Sequence, residues 1–173
     1  LLCYFDPETL EKMSIGDTID VRTQGQGMKL LDYPEILLRN MSPALLEKMN
    51  ITEKDGKLTV GVAKIVPGCI MGSGLGASTS YYGDYDITLH DKQICQQYGL
   101  DQLRFGDIVA IQDADTRYGR NFITGAITIG VVVHSDCILS GHGPGVTTLM
   151  TCKTPLIEPV IDQSANLADF FLK

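Results

Sequence analysis

The longest apolar run in the chain extends from Ala126 to Val133 and is interrupted only by Thr128 and Gly130. Most of its other residues are β-branched, which favours a strand, and a continuously apolar strand must be covered on both faces. The run therefore predicts a buried, central strand of a sheet. It is too short to cross a bilayer, which takes about 20 apolar residues, so no membrane partner is expected.

Other segments carry strand and turn patterns. Residues Thr18 to Arg22 alternate between polar and apolar side chains, which predicts a half-buried strand. The turn signal Lys54-Asp55-Gly56-Lys57 precedes an apolar segment from Leu58 to Val62, and together they predict a hairpin. A further strand is predicted from Ile108 to Ile111. The stretch after Thr154 has little periodicity and is expected to pack as an arm.

Helix signals are short and lie between these strands. Capping residues followed by proline predict helix starts at Asp6-Pro7 and Ser42-Pro43. A third helix is predicted from Asp91 to Tyr98, ending at Gly99, and a fourth near residues 166–172. The predicted fold is α+β and β-rich, with barrel- or sandwich-like sheets and short connecting helices.

The beginning of the chain predicts its domain organisation. The 173 residues start with Leu1-Leu2-Cys3-Tyr4-Phe5, an apolar, strand-like segment without an initiator methionine. We therefore expect residues 1–173 to form one domain that is the C-terminal part of a larger protein, with the N-terminal half missing.

Charge and cysteine content exclude some classes of function. Lys and Arg number 14 against 21 Asp and Glu, a net charge of -7, which argues against nucleic acid as a partner. The five cysteines are odd in number and form no C-x-x-C pair, so free thiols in a reducing compartment are expected rather than disulfides or structural zinc. A cytoplasmic location follows from this expectation.

Polar residues two apart occur beside glycine or at the end of an apolar run in three places. These pairs are Asp84 with Asp86, Asp113 with Asp115, and His134 with Asp136. In an extended chain, residues two apart project from the same face. We predict that the three pairs converge on one pocket, where Asp84, Asp86, Asp113 and Asp115 would hold a divalent metal ion and His134 and Asp136 would be catalytic. The alternative is that each aspartate caps a separate turn.

Neighbouring segments supply further candidates. His142, in Gly141-His142-Gly143-Pro144-Gly145, is predicted to be a catalytic residue at the rim of the pocket. Arg117 and Arg120 are predicted to hold a substrate anion, although such arginines also occur in surface ion pairs. Gly72 and Gly74 could present backbone N–H groups to the same anion, or could belong to a tightly turned connector.

Several longer motifs carry a family resemblance. They are Leu30-Leu31-Asp32-Tyr33-Pro34, residues 71–76, Gly83-Asp84-Tyr85-Asp86, residues 103–107, residues 125–136 and residues 141–148. Together they resemble a bacterial and archaeal family of domains of unknown function, number 4438, over essentially the whole chain. Members of that family carry an additional N-terminal half, which agrees with the expectation of a missing portion. The resemblance implies no activity.

A second resemblance is to acetamidases and formamidases. Their Gly-x-x-Asp segment, Gly-Ala strand start and histidine are matched by Gly83 to Asp86, Gly125-Ala126 and His134. The chain departs from them in the last glycine-rich turn, where it has His142 and Pro144 in place of acids. This resemblance implies a metal-assisted, amidase-like hydrolase acting on a small molecule. The alternatives are a non-catalytic protein that binds a small ligand and a structural homo-oligomer whose glycines serve only tight turns.

Overall fold

A computed structural model describes residues 5–72, 81–89, 91–136 and 141–172. Four α-helices and nine strands lie in these ranges. The helices are α1 (Pro7–Lys12), α2 (Pro43–Lys48), α3 (Lys92–Tyr98) and α4 (Leu167–Phe171). The strands are β1 (Leu37–Leu38), β2 (Ile51–Lys54), β3 (Lys57–Val62), β4 (Lys64–Pro67), β5 (Tyr85–Asp86), β6 (Ile108–Asp115), β7 (Asn121–His134), β8 (Gly145–Cys152) and β9 (Ile157–Ile161). The fold is α+β and β-rich, as predicted.

The larger sheet is built around β7. Its strand order is β1-β8-β7-β6-β4, and β5 pairs with β8 along the same edge as β1. The pairs are antiparallel except β4 with β6. Within β7, residues 126–132 are buried. The prediction that Ala126 to Val133 forms a central, buried strand is confirmed, because neighbouring strands and core side chains cover it on every side.

Both faces of this sheet carry apolar side chains. On β6, Ile108 and Ala110 belong to one core cluster, whereas Val109 and Ile111 belong to another. Because consecutive side chains on a strand point to opposite faces, the two clusters lie on opposite faces of the sheet. The first face packs against the smaller sheet, since Val60 and Ile157 of that sheet belong to the same cluster as Ile108.

The smaller sheet has the strand order β2-β3-β9. Asp55 and Gly56 both adopt positive φ angles, of 51° and 72°, which is the conformation of the tight hairpin turn predicted there. β9 runs parallel to β3, so the stretch after Thr154 is a strand and not the arm that we expected. The two sheets pack as a sandwich-like pair.

Helix ends follow the capping signals of the sequence. Asp6, Ser42 and Asp91 each accept a hydrogen bond from a backbone N–H in the first turn, and Gly99 ends α3 with a φ of 62°. α4 begins after Asn166, close to the predicted position. No helix in the described ranges has the length and apolar character of a membrane span.

The expectations for the first 35 residues need correction. Residues 18–22 are exposed and form no strand, and Leu10 on α1 is also exposed. Alternation alone does not make a strand, because the segment has no strand beside it among the described residues with which to form hydrogen bonds. The strand predicted at Leu1 to Phe5 lies outside the described residues, apart from Phe5, which is not in a strand.

Candidate functional site

Three strands bring acidic and histidine side chains to one point on the larger sheet. Gly145, the first residue of β8, is the register partner of Asp86 on β5 and of His134 on β7. Residues directly opposite on neighbouring strands have side chains on the same face. Asp86 and His134 therefore flank Gly145 from its two sides.

A β-bulge aims His134 at this point. Val132 is the register partner of Val146, but the register then shifts and His134, not Val133, lies opposite Gly145. Val132 and Val146 are buried in the same core cluster. The extra residue turns His134 to the face opposite these valines, which is a common effect of a bulge near a functional site.

Gly145 provides the space in which the side chains meet. A Cβ atom at this position would collide with the imidazole of His134 and with the carboxylate of Asp84. The backbone of Gly145 is not in the left-handed region. Glycine is therefore needed here because of the side chains packed above it, and not because of its backbone angles.

The side chains form a carboxylate–histidine cluster, which comprises Asp84, Asp86, His134 and His142. Nε2 of His134 lies 2.7 Å from Oδ2 of Asp84 and 3.4 Å from Oδ1 of Asp86. Nδ1 of His142 lies 3.2 Å from Oδ2 of Asp86. His142 is brought there because Leu89 and His142 form a β-bridge, next to the hydrogen bond from Gly143 N–H to the Thr88 carbonyl.

The cluster has a buried base and an open rim. The side chain of Asp86 is 5% exposed, those of Asp84 and His134 are 33% and 31% exposed, and that of His142 is 42% exposed. His142 is therefore the most accessible side chain of the cluster, and Asp86 is the one most shielded from water.

The hydrogen bonds of His134 fix the direction of its second nitrogen. Nδ1 lies 2.7 Å from the carbonyl oxygen of Ser135, which can only accept, so Nδ1 carries a proton and donates it there. Nε2 then faces Asp84 and Asp86, whose carboxylates also accept. A neutral imidazole would point its lone pair at two negative groups, so either a proton on Nε2 or a cation must lie between them.

The pKa of His134 reflects the same surroundings. Burial of the imidazole is the largest single influence and lowers the pKa, because the charged form loses hydration. The Ser135 carbonyl and the negative charges of Asp84 and Asp86 act in the opposite direction. Together they outweigh burial and raise the pKa of His134 above its usual 6.5.

The donor set fits a divalent metal ion. Nε2 of His134 and one oxygen each from Asp84 and Asp86 all lie within 4.8 Å of one another. Ligands of one zinc-sized ion, at about 2.1 Å from it, lie roughly 3.0–3.5 Å apart, so small side-chain movements suffice. Metal-binding histidines commonly donate their other ring N–H to a backbone carbonyl, as His134 does to Ser135.

Comparisons with known proteins identify the family but no activity. Residues 48–171 match the family described as "Domain of unknown function (DUF4438), C-terminal", and residues 1–47 match its N-terminal counterpart. The chain belongs to the DUF4438 family. It is similar to the crystal structure of TM1086, at 47% identity and a TM-score of 0.76 over 84% of this chain and 51% of that one. The chain thus spans about half the length of that relative. No curated protein has a significant match.

Other predicted site residues of this DUF4438 chain lie away from the cluster. Asp113 has a positive φ of 57° and accepts a hydrogen bond from Gly125 N–H at 2.7 Å. Asp115 is buried and forms an ion pair with Arg117. The register shift between Gln112 and Ala114 breaks the alternation of β6, which is why the two-residue spacing does not bring this pair to the cluster.

The His134–Asp136 spacing fails for a similar reason. β7 ends at His134, so the alternation of a strand does not extend to Asp136, which is exposed. The charge of Asp136 acts on the thiol of Cys95 and contributes to its raised pKa, after burial as the larger cause. The three pairs therefore do not share one pocket as predicted. The residues that come together are Asp84, Asp86, His134 and His142.

The predicted anion-binding residues hold parts of the fold together. Arg117 donates to both carboxylate oxygens of Asp115, with Nη2 at 2.8 Å from Oδ2. Arg120 donates to the carbonyl oxygens of Met71 and Gly72 at a cavity of about 300 Å³. The N–H of Gly72 donates to the Asp86 carbonyl, so it is already used. Gly74 lies outside the described residues.

Sequence reasoning missed two features of the cluster. Gly145 was grouped with its glycine-rich motif, and its role as the shared neighbour of Asp86 and His134 depends on strand register. The role of the Ser135 carbonyl could not be predicted, because every residue has a backbone carbonyl. The only hint in the sequence was that Gly145 precedes a segment rich in β-branched residues, Val146-Thr147-Thr148.

Proposed function

We propose that the carboxylate–histidine cluster binds a divalent metal ion and that the protein is a metal-assisted, amidase-like hydrolase of a small molecule. One observation carries the proposal. Nδ1 of His134 donates to the Ser135 carbonyl, so Nε2 faces the carboxylates of Asp84 and Asp86, and a cation bound among these three groups would offset the two negative charges. The spacing of the donor atoms supports the same conclusion.

Asp84, Asp86 and His134 would be the metal ligands. A metal ion bound by them would act as a Lewis acid and lower the pKa of water near the cluster. Asp86, at the buried base, supplies negative charge in a place of low polarity, and the Ser135 carbonyl holds the imidazole of His134 in the binding orientation.

His142 would move the proton. Its Nδ1 lies 3.2 Å from Oδ2 of Asp86, and its side chain is 42% exposed, so it can meet both the buried base of the cluster and a molecule from solvent. A histidine at this position can accept a proton from water and return it to an amine leaving group. The similarity to acetamidases and formamidases at Gly83 to Asp86, Gly125-Ala126 and His134 supports a small amide as substrate class.

Metal binding is tested first. The metal content of native protein is measured by mass spectrometry, and the binding of Zn²⁺ and Mn²⁺ to chelator-treated protein by calorimetry. We expect one ion per chain and a loss of at least 100-fold in affinity in Asp86→Asn and His134→Gln. Asp20→Asn, which removes an exposed aspartate elsewhere, should bind as the wild type does. Unchanged affinity in both cluster variants would refute the proposal.

Hydrolysis is tested second, with metal-loaded protein and a panel of small amides, by release of ammonia. His142→Ala should keep the metal and lose at least tenfold in kcat, because its role is proton transfer. Metal binding with no turnover of any amide would leave a binding site and exclude the hydrolase.

The free cysteine thiols are relevant to the cellular location of the protein. Cys69, Cys95 and Cys152 are free, and Cys95 and Cys152 are buried. Free thiols persist in a reducing compartment, which supports a cytoplasmic location for the protein.

A further inference from the structure

A second group of buried polar side chains lies on the other face of the larger sheet. Leu38 on β1 packs in the same core cluster as its register partner Met150. Arg39 follows the last residue of β1, and its N–H donates to the Leu149 carbonyl of β8 at 2.8 Å. Tyr85 pairs with Val146 on the same edge of β8 and points to the face of the second cluster, and the charge of Arg39 acts on its hydroxyl.

The guanidinium of Arg39 is buried without a negative partner. Arg39 is 7% exposed, its Nη1 donates to the Leu38 carbonyl at 3.1 Å, and it lies over the ring of Tyr81 at 4.0 Å. Its Nε has no hydrogen-bond partner, and no carboxylate of the described residues forms an ion pair with it. A buried charge without a counter-charge is strongly unfavourable, so an anion bound beside Arg39 would stabilise the protein.

Tyr85 presents a second donor beside it. Tyr85 is 2% exposed, and its hydroxyl has no hydrogen-bond partner within the described part of the chain. Burial, the largest cause, and the charge of Asp115 raise the pKa of Tyr85, whereas the charge of Arg39 lowers it. The phenol therefore keeps its proton and lies within electrostatic reach of Arg39.

The remaining polar groups around them are already paired. Asp115 is neutralised by Arg117. The hydroxyl groups of four buried threonines, which are Thr116, Thr128, Thr148 and Thr151, bond to one another at 2.8–3.3 Å. Asp115 and Arg117 neutralise one another, so Arg39 keeps an uncompensated positive charge, and its Nε and the Tyr85 hydroxyl can each donate a hydrogen bond.

We propose that a small oxyanion, a carboxylate or phosphate group, binds between the guanidinium of Arg39 and the hydroxyl of Tyr85. Two donors and one uncompensated positive charge are what such a group requires. The site is distinct from the carboxylate–histidine cluster, because Tyr85 and Asp86 are adjacent on β5 and point to opposite faces. The proposal can therefore be tested on metal-free protein.

Thermal unfolding of the purified protein is measured at constant ionic strength in chloride, acetate and inorganic phosphate. We expect saturable stabilisation by acetate or phosphate over chloride, of about 5 °C or more at 100 times the dissociation constant. Stabilisation by acetate alone would assign a carboxylate ligand, and stabilisation by phosphate alone a phosphate ligand. No saturable effect of either anion would overturn the proposal.

Three variants test whether the stabilising anion binds at Arg39 and Tyr85. Arg39→Met should abolish it, and in chloride this variant should melt at or above the wild-type temperature, because a buried unpaired charge has been removed. Tyr85→Phe removes only the hydroxyl group and should weaken anion binding about tenfold. This variant tests the proposal even if Arg39→Met does not fold. Arg22→Met removes an exposed arginine and should respond as the wild type does. Anion stabilisation that persists in both site variants would place the anion elsewhere.

Discussion

Nε2 of His134 lies 2.7 Å from Oδ2 of Asp84, although the two residues are 50 positions apart and belong to different segments of one sheet. What joins them is Gly145, which separates their strands and has no side chain to hold them apart. The contact between His134 and Asp84 therefore depends on three features: the strand register, the β-bulge in β7 and the absence of a side chain at Gly145.

Gly145→Ala tests this arrangement. The added methyl group would displace His134 and Asp84, so we expect metal affinity to fall at least tenfold and stability by about 1–3 kcal/mol. Calorimetry and chemical unfolding measure the two effects. Gly56→Ala, at a turn with a positive φ and open space, should cost about 1 kcal/mol of stability and leave metal affinity unchanged. Equal metal affinity in both variants would contradict the packing argument.

Metal affinity should depend on pH through His134. Because the pKa of His134 is raised above 6.5, its imidazole retains a proton to higher pH than an ordinary histidine does. That proton competes with the metal, so affinity should rise as pH passes upward through the raised value and fall by up to tenfold per pH unit below it. Titrations between pH 5.5 and 8.5, a range set roughly around the ordinary histidine pKa, measure this. A constant affinity across that range would exclude His134 as a ligand.

Val132→Asp should prevent folding. Val132 lies in the central strand, is 4% exposed and is packed in the second core cluster, where a carboxylate would have neither water nor a counter-charge. The expected loss exceeds about 3 kcal/mol, enough to abolish soluble expression. Val160→Asp, on the edge strand β9 at a partly exposed position, is the control and should remain soluble. Wild-type melting of Val132→Asp would be incompatible with the buried strand.

Arg117→Met separates a role in the fold from a role in binding. The substitution leaves the carboxylate of Asp115 buried and unpaired by its bidentate partner, which should cost about 3–5 kcal/mol. Metal affinity of the folded fraction should not change, because Arg117 holds the carboxylate of Asp115, which is not one of the proposed metal ligands. The double variant Arg117→Met, Asp115→Asn should recover part of the stability; if it recovers none, the ion pair is not the cause of the loss.

Much of the fold follows from local patterns. Capping residues, the Asp55-Gly56 turn and the apolar run in β7 are local signals, and each agrees with the structure. β9 was missed because the stretch after Thr154 has little periodicity, and the strand also contains Pro159. The proline is tolerated because β9 is at the edge of its sheet, where one side needs no hydrogen bonds, and edge position is not visible in sequence.

The site was predictable only where strands are regular. Asp84 and Asp86 place carboxylate oxygens within 4.8 Å of each other and of His134, so their two-residue spacing was informative. For Asp113 and Asp115 the same spacing misled, because a register shift lies between them. Arg39 gave no signal, since a single arginine after Ile36-Leu37-Leu38 is indistinguishable in sequence from one that reaches solvent.

β5 is only two residues long, yet it carries Tyr85 toward one face of the sheet and Asp86 toward the other. Its backbone is held by β8 and by the N–H of Gly72, and its two side chains reach opposite faces of the sheet. A metal ion on one face and an anion on the other would share the entropic cost of ordering this segment. Thermodynamic linkage then requires that each ligand strengthen the binding of the other by the same factor, so that two chemically unrelated sites communicate through a single pair of residues.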